Sequence, residues 1–176
     1  MRTLYTLAYP SLSEADMNFI ERFRHEHDAR YRDVVASHFT MVFGCNAVGE
    51  VEYRQHVAAV AKANVTLDFS CRYAMLGSDD QDQTAYVFLV PDEGYSGFSL
   101  LHDRLYTGVL SPHLRLDIPF VPHITIGTLE DRRVAKQLCD DLNQHGIGIH
   151  GSVGALTVGA LENGKIENLA SFQLRT

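Results

Sequence analysis

Residues 122–127 read Pro122-His123-Ile124-Thr125-Ile126-Gly127, and His38-Phe39-Thr40-Met41 stands 85 residues earlier in the chain. In both stretches, apolar residues alternate with His and Thr, and a period of two residues predicts a β-strand. Side chains two residues apart on a strand point to the same face, so each His shares a face with its Thr while the apolar residues point the other way. The two stretches therefore predict two strands that each carry a polar pair on one face and contribute to a core on the other.

The sequence around these strands repeats. Residues 5–10, YTLAYP, align with residues 86–91, YVFLVP, at an offset of 81, and each copy runs strand, helix, histidine-bearing strand, helix, strand. We interpret this as an internal duplication, approximately 1–80 and 81–176, within one bilobal domain spanning residues 1–176. The expected fold is α+β, with two pseudo-symmetric lobes, each an antiparallel sheet with flanking helices, around a central cleft.

Capping and periodicity signals place the remaining helices. Ser13 followed by Asp16 predicts a helix start, as do Thr128 and Asp131, and Gly146 predicts the end of that last helix. Apolar spacing predicts two further helices, over 50–63 and 96–109.

Alternation and turn signals place the remaining strands. They predict one continuous half-buried strand over 65–75, a polar loop at 77–83 and a strand at 84–90. Near the C-terminus, Asn163-Gly164 supplies the left-handed dihedral angles of a tight turn and predicts a hairpin between strands at 153–161 and 166–174.

Composition narrows the class of protein. The 176 residues are 45% hydrophobic and 21% charged, which is typical of one globular domain. The net charge of −7 argues against an extended nucleic-acid surface but leaves a local anion site possible. No apolar run reaches the roughly 18 residues of a membrane span, no leader sequence is recognisable, and the 3 cysteines include no CxxC pair. We therefore expect a monomeric cytoplasmic protein with no membrane contact, no disulfide framework and no metal site.

The two polar pairs point to chemistry at phosphorus. A two-fold relation would bring both pairs into one cleft, giving two imidazoles that titrate near neutral pH and two hydroxyl donors. Displacement at phosphorus needs a base beside the attacking oxygen, an acid beside the leaving oxygen and donors to the non-bridging oxygens. The candidate catalytic residues are thus His38 and His123, and the candidate phosphate donors are Thr40 and Thr125. This arrangement requires no metal.

The paired motifs and duplicated arrangement resemble the 2H phosphoesterase superfamily, which includes bacterial 2′-5′ RNA ligase-like proteins and 2′,3′-cyclic nucleotide phosphodiesterases. The resemblance implies metal-independent opening or closing of cyclic phosphodiesters, without a cofactor, in a small nucleotide or at an RNA end. It implies His123 as the base that activates water, His38 as the acid that protonates the departing oxygen, and Thr40 and Thr125 as phosphate donors. Ligase-like members often carry an arginine shortly after the second motif, where this chain has Gly127-Thr128-Leu129, which weakens the case for a tRNA-sized substrate.

Alternative functions remain open at this point. The first interpretation is a phosphodiesterase that hydrolyses a 2′,3′-cyclic phosphate or a related small cyclic phosphoester. The others are a 2′-5′ RNA ligase-like activity on RNA ends, a nucleotide-binding or phosphate-binding module without turnover, and a metal-dependent hydrolase that uses the two histidines. Tyr5 and Tyr86 occupy matching positions in the repeat and either flank a nucleobase or pack in the core.

Structural roles explain the other candidates better than chemistry does. His150-Gly151-Ser152 lies in Gly-rich sequence outside the repeat, and we exclude it as a third motif. We expect Arg72 to be solvated and Cys45 to be a small buried residue. The other histidines are expected at the surface, in local hydrogen bonds or, for His145, capping a helix end: His25, His27, His56, His102, His113 and His145.

Overall fold

The structure is a computed structural model that describes residues 2–78 and 84–176. The strands in these residues are β1 (Leu4–Ala8), β2 (Ser11–Leu12), β3 (Phe39–Cys45), β4 (Leu67–Cys71), β5 (Tyr73–Ser78), β6 (Ala85–Val90), β7 (Ile124–Leu129), β8 (Ile149–Val153), β9 (Ala155–Glu162) and β10 (Lys165–Gln173). The helices are α1 (Glu14–His27), α2 (Glu50–Ala63), α3 (Tyr95–Leu105) and α4 (Arg132–His145), with a short 3-10 helix at Gly108–His113.

Two sheets organise these strands. The larger sheet has seven strands in the order β10-β9-β1-β3-β7-β6-β5, and the smaller has three in the order β2-β8-β4. Neighbouring strands in both sheets are antiparallel. The predicted α+β class with antiparallel sheets is confirmed. Both halves of the chain contribute to the larger sheet, and the strands of the two motifs, β3 and β7, lie side by side at its centre.

The strand register is the same in both halves. Leu7 of β1 pairs with Thr40 of β3, and Phe88 of β6 pairs with Thr125 of β7. Leu7 and Phe88 are 81 residues apart, and Thr40 and Thr125 are 85 apart, which are the offsets of the sequence repeat. The equal register supports the proposed internal duplication, which remains a proposal.

The main core lies on the face of the large sheet that the helices α2 and α3 cover. Phe39 of β3, Phe69 of β4 and Phe98 of α3 are almost fully buried, and their rings pack together with centroid distances of 4.2 to 5.9 Å. On the same face, the Thr6 hydroxyl and the Tyr53 hydroxyl form a buried hydrogen bond of 2.9 Å. This packing leaves the other face of β3 and β7 for polar side chains.

The prediction of one strand over 65–75 is wrong. The segment forms β4, which pairs with β8 in the small sheet, and β5, which pairs with β6 in the large sheet, with Arg72 between them. Burial changes phase at this point, since Phe69, Cys71 and Ala74 are buried whereas Tyr73 is exposed. The apolar–polar alternation of the sequence continues through Arg72 and carries no information about the partner strand, so it did not reveal the change of sheet. Gly77 and Ser78 belong to β5, and the rest of the predicted loop, residues 79–83, lies outside the described residues.

One helix boundary and the alternation within one strand also differ from what the sequence predicts. α3 ends at Leu105, and Gly108, whose φ of +51° is left-handed, begins the 3-10 helix that contains Pro112. In β3, register shifts against β1 interrupt the expected alternation, so that Met41 and Val42 are both fully buried. A bulge adds one residue between ladder pairs, so the residues after it face the opposite side of the sheet.

Local signals located several other element ends. Ser13 caps α1 by accepting from the Asp16 amide, and Gly146 follows the last residue of α4. The helix start framed by Thr128 and Asp131 was predicted too early, because Thr128 belongs to β7 and Asp131 is the cap of α4. The C-terminal hairpin is confirmed, with Asn163 and Gly164 at φ angles of 51° and 75°. These features depend on a few adjacent residues, which explains why the sequence predicts them.

Candidate active site

The two His-x-Thr motifs meet at the junction of the two halves. β3 and β7 are joined by a single residue pair in the described chain, Phe39 with Ile124, and these are the central residues of the motifs. Both side chains are fully buried on the core face. Because neighbours along a strand point to opposite faces, the flanking His and Thr residues of both motifs all lie on the other face. The structure therefore brings together the four side chains that the sequence singles out.

Antiparallel pairing determines how far apart these groups lie. Extending the register by one residue places His38 opposite Thr125 and Thr40 opposite His123. Directly opposite side chains have Cβ atoms about 4.5–5.5 Å apart, and diagonal ones, such as His38 and His123, about 7–8 Å. Within the first motif, His38 Nε2 and Thr40 Oγ1 are 3.0 Å apart. The imidazoles therefore flank a space the size of one phosphate group.

Both imidazoles are oriented in the same way. The Nδ1 atom of His38 donates to the carbonyl oxygen of Ala36 at 2.8 Å, and Nδ1 of His123 donates to that of Val121 at 2.6 Å. A carbonyl only accepts, so each neutral ring carries its proton on Nδ1 and leaves Nε2 with a lone pair. Among the described residues, Nε2 of His123 and the hydroxyl of Thr125 have no hydrogen-bond partner, so both are free to bind a ligand.

Burial lowers the pKa of both imidazoles. The pKa of His38 falls to about 4, mainly through desolvation, with further lowering by the charges of Arg24 and His123. The hydrogen bond to Ala36 and the charge of Asp28 act in the opposite direction. The pKa of His123 is also lowered by desolvation, partly offset by its hydrogen bond to Val121. The effect of His123 on His38 shows that the two rings are close enough to repel each other when protonated.

Aromatic rings enclose the two imidazoles. Phe88 of β6 stacks on His123 with ring centroids 3.8 Å apart at 28°, and Tyr86 stacks on Phe88 at 5.5 Å and 20°. Tyr9 approaches His38 edge-on at 6.2 Å. Neither Phe88 nor Tyr9 was among the candidate residues, although Phe88 lies two residues after Tyr86 and hence on the same strand face. The stack holds the second imidazole and helps exclude water from it.

The two predicted tyrosines share the face of the histidines. Tyr86 reaches the site through Phe88, whereas the Tyr5 ring lies against Gly44 of β3, where an added Cβ would be 2.9 Å from its Cζ and hydroxyl oxygen. Tyr5 is half-buried, and burial together with the nearby Tyr31 raises its pKa. Neither tyrosine packs in the main core. Their contact with a nucleobase remains a prediction.

A groove opens beside His38. Its volume is about 720 Å³. Tyr9, which touches the His38 ring, lines it, and so does Ala36, whose carbonyl holds that ring. Polar and charged side chains supply much of the remaining wall: Glu21, Arg32, Asp33, Lys165 and Asn168. The groove adjoins the site through Tyr9 and Ala36, and none of the four side chains of the two motifs lines it.

The residues to which we assigned structural roles behave mostly as expected. His150 is exposed on β8 and bonds the Ser70 hydroxyl at 2.9 Å, His145 caps the Asp141 carbonyl, and Cys45 is buried. Arg72 is half-exposed and paired with Asp92. His102 makes a local hydrogen bond with Asp103 at 3.2 Å, one of the two expected roles, although it is only 5% exposed and stacks on Phe120 with ring centroids 3.8 Å apart.

Within residues 2–78 and 84–176, no three His, Cys, Asp or Glu side chains are grouped so that they can hold a metal ion. None of the helices in the same residues is long and apolar enough to cross a membrane.

Comparison with known proteins places this geometry in a family. A family model described as "2′-5′ RNA ligase superfamily" matches residues 10–165, which is most of the chain. A search of curated proteins found no match. Among solved structures, Escherichia coli LigT in its apo form is 19% identical, with a TM-score of 0.56 over 99% of this chain and 98% of that one.

Two other solved structures share the fold. TT0787 of Thermus thermophilus is 19% identical, with a TM-score of 0.59 over 99% of this chain and 98% of that one. LigT complexed with 3′-AMP is 16% identical, with a TM-score of 0.58 over 99% of each chain. At these identities the likeness shows the fold alone, whereas the family model covers the sequence itself. The chain therefore belongs to the 2′-5′ RNA ligase superfamily, the 2H phosphoesterases.

Proposed function

We propose that this protein is a metal-independent phosphodiesterase that hydrolyses a 2′,3′-cyclic phosphate or a related small cyclic phosphoester. The observation that carries the proposal is the placement of two imidazoles and two hydroxyls on one sheet face around the Phe39–Ile124 pair. Solved structures of LigT hold 3′-AMP, ATP, NADP⁺ and phosphate, which supports a small nucleotide as the ligand here. The groove beside His38 has the volume to hold the nucleoside.

The low pKa of His38 favours one assignment of roles. Desolvation lowers the pKa of His38 to about 4, so this ring is neutral at pH 7 and can accept a proton. We therefore assign His38 as the base and the other imidazole of the pair, His123, as the acid. This assignment is the reverse of the one implied by the family resemblance. Bound phosphodiester carries a negative charge, which raises the pKa of both imidazoles and favours protonated His123.

The reaction follows from these roles. His38 Nε2 accepts a proton from a water molecule as its oxygen attacks phosphorus in line with one ring oxygen of the cyclic phosphate. The bond from phosphorus to that ring oxygen breaks, and His123 Nε2–H donates its proton to the departing oxygen. Thr125 donates a hydrogen bond to a non-bridging oxygen, where charge accumulates. Thr40 does the same once its hydroxyl turns from His38 Nε2, to which it donates in the free protein. The products are a phosphomonoester and a free ribose hydroxyl, and the water supplies both the new oxygen and the proton balance.

The direct test is turnover of 2′,3′-cyclic mononucleotides in the presence of EDTA, with the product phosphate located by ³¹P NMR. His38→Ala and His123→Ala should each lower kcat/KM by about 10²–10⁴-fold, the range for one positioned acid or base. The control is His150→Ala, which removes an exposed histidine from the small sheet and should leave kcat/KM unchanged.

Other outcomes decide between the remaining functions. Binding of the nucleotide without product indicates a binding module, and loss of activity in EDTA indicates a metal-dependent hydrolase. Joining of an RNA end that carries a 2′,3′-cyclic phosphate to a 5′-hydroxyl, with no hydrolysis, indicates the ligase activity. Full activity in both histidine variants would rule out the proposed mechanism.

A further inference from the structure

A buried ion pair lies at the C-terminal end of α1, outside the two motifs. Arg24 is 2% exposed and Asp28 is 0% exposed, and Arg24 Nε lies 3.0 Å from Asp28 Oδ2. Burying two charges carries a large desolvation penalty, which is offset only when the geometry is good and the remaining polar atoms are satisfied. Neither side chain is accessible to a substrate, so their other contacts indicate what the pair does.

Arg24 holds the segment that leads into the first motif. Its Nη2 donates to the carbonyl oxygen of Val35 at 2.8 Å, and its Nη1 donates to the hydroxyl of Ser37 at 3.3 Å. Between these two residues lies Ala36, whose carbonyl accepts the Nδ1–H of His38. The guanidinium therefore fixes both neighbours of the carbonyl that orients the His38 ring.

Asp28 holds the strand of the second motif. Its Oδ1 accepts from the Thr128 hydroxyl of β7 at 2.7 Å and from the Tyr31 amide at 3.2 Å, and Asp28 and Thr128 also form a backbone bridge. β7 begins immediately after His123. Since β3 and β7 are themselves joined at one residue pair in the described chain, this contact is a further link between the first half of the chain and the strand of the second motif.

We propose that Arg24 and Asp28 are positioning residues, a buried brace that fixes the His38 imidazole relative to β7 and hence to His123. Through the last turn of α1, this pair connects the segment that precedes β3 to the C-terminal part of β7. A displacement of about 1 Å at a catalytic group can cost about 10²-fold in rate, so the brace sets the turnover of the proposed reaction.

Electrostatics provides a signature that a purely structural pair would lack. The titratable and charged groups around the His38 ring are Arg24 and Asp28 from α1, His123 ahead of β7 and Tyr9 after β1. Arg24 lowers the pKa of His38 and Asp28 raises it. Neutralising Asp28 should therefore lower that pKa further, and neutralising Arg24 should raise it.

The test compares Asp28→Asn, Arg24→Gln and the milder Thr128→Val. NMR titration of the His38 ring, assigned by comparison with His38→Gln, should show the pKa moving down in Asp28→Asn and up in Arg24→Gln. Thr128→Val should lower kcat about tenfold with KM little changed. Thr6→Val is the matched control, because it also deletes one buried hydroxyl hydrogen bond, on the opposite sheet face. It should lower the melting temperature similarly and leave kcat within twofold of wild type.

The comparison of kcat values rests on the proposed function, whereas the NMR titration of His38 does not. If wild type shows no turnover, the proposed function fails, and the titration still tests the brace. An unchanged His38 pKa in both charge variants would overturn the inference, as would Thr128→Val and Thr6→Val having equal effects on kcat. If a charge variant fails to fold, the comparison of the two threonine variants decides.

Discussion

Replacing Gly77 with alanine should lower activity without altering any candidate catalytic side chain. A Cβ at Gly77 would lie 2.2 Å from Cε2 and 2.7 Å from Cζ of Phe88. Ordinary contact begins at 3.4 Å, so the ring or the strand must move by at least 1.2 Å, the difference between 3.4 and 2.2 Å. Phe88 is the ring that stacks on His123 with centroids 3.8 Å apart. The displacement is therefore passed directly to the proposed acid.

The size of the effect follows from this displacement. A shift of about 1 Å at a catalytic group can cost about 10²-fold, and β5 is an edge strand that can absorb part of the movement. We expect kcat/KM for a 2′,3′-cyclic nucleotide to fall between about 10-fold and 10²-fold. The assay is steady-state hydrolysis, and the His123 ring protons, which sense the Phe88 ring current, report the displacement by NMR.

Two variants make the test specific. Gly154→Ala is the control, because a Cβ there would meet nothing within 4 Å. Phe88→Leu places at this site the residue type that Leu7 supplies at the matching position of the first half, and it removes the clash. The double variant Gly77→Ala/Phe88→Leu should therefore be no slower than Phe88→Leu alone. Activity of Gly77→Ala equal to that of Gly154→Ala, with unshifted His123 protons, would refute the proposed role of the stack.

Three further predictions concern pH and the core. The pH profile of kcat/KM should be bell-shaped. Its acidic limb should lie near pH 4, where the His38 base becomes protonated, and its alkaline limb below pH 6.5, where the His123 acid loses its proton. A value of kcat/KM that rises steadily to pH 8 would contradict these roles. The folded-state pKa of His38 lies below its ordinary value of 6.5, so the unfolded chain binds the proton more readily and stability is lost as pH falls from 6.5 towards 4. The loss from this group is about 3 kcal/mol, and urea unfolding of His38→Gln at pH 7 and pH 4.5 should show a smaller fall than wild type. Phe98→Ala should lower the free energy of unfolding by about 3–5 kcal/mol, measured in urea, because the fully buried ring packs on Phe39 and Phe69.

Several features of this protein were determined by short stretches of sequence. The spacing of His38 and Thr40 puts them on one strand face, where their side chains lie 3.0 Å apart. The Asn163-Gly164 turn and the Ser13 cap depend on residues within four positions of each other. Alternation and capping are local consequences of backbone geometry, so the faces of the two motifs, the α+β class and the candidate histidines could be predicted, whereas the register shifts in β3 could not.

The tertiary structure alone decided which distant residues meet. Two contacts, between Phe39 and Ile124 and between Asp28 and Thr128, join residues that are far apart along the chain, where no local pattern indicates the partner. The same holds for β4, whose pairing with β8 in the small sheet ends before Arg72. The lowered pKa values of the two histidines also depended on folding, because desolvation and the charges of packed neighbours exist only in the assembled site. Periodicity indicates which side chains are buried, whereas partners, registers and proton affinities follow from how the buried surfaces fit together.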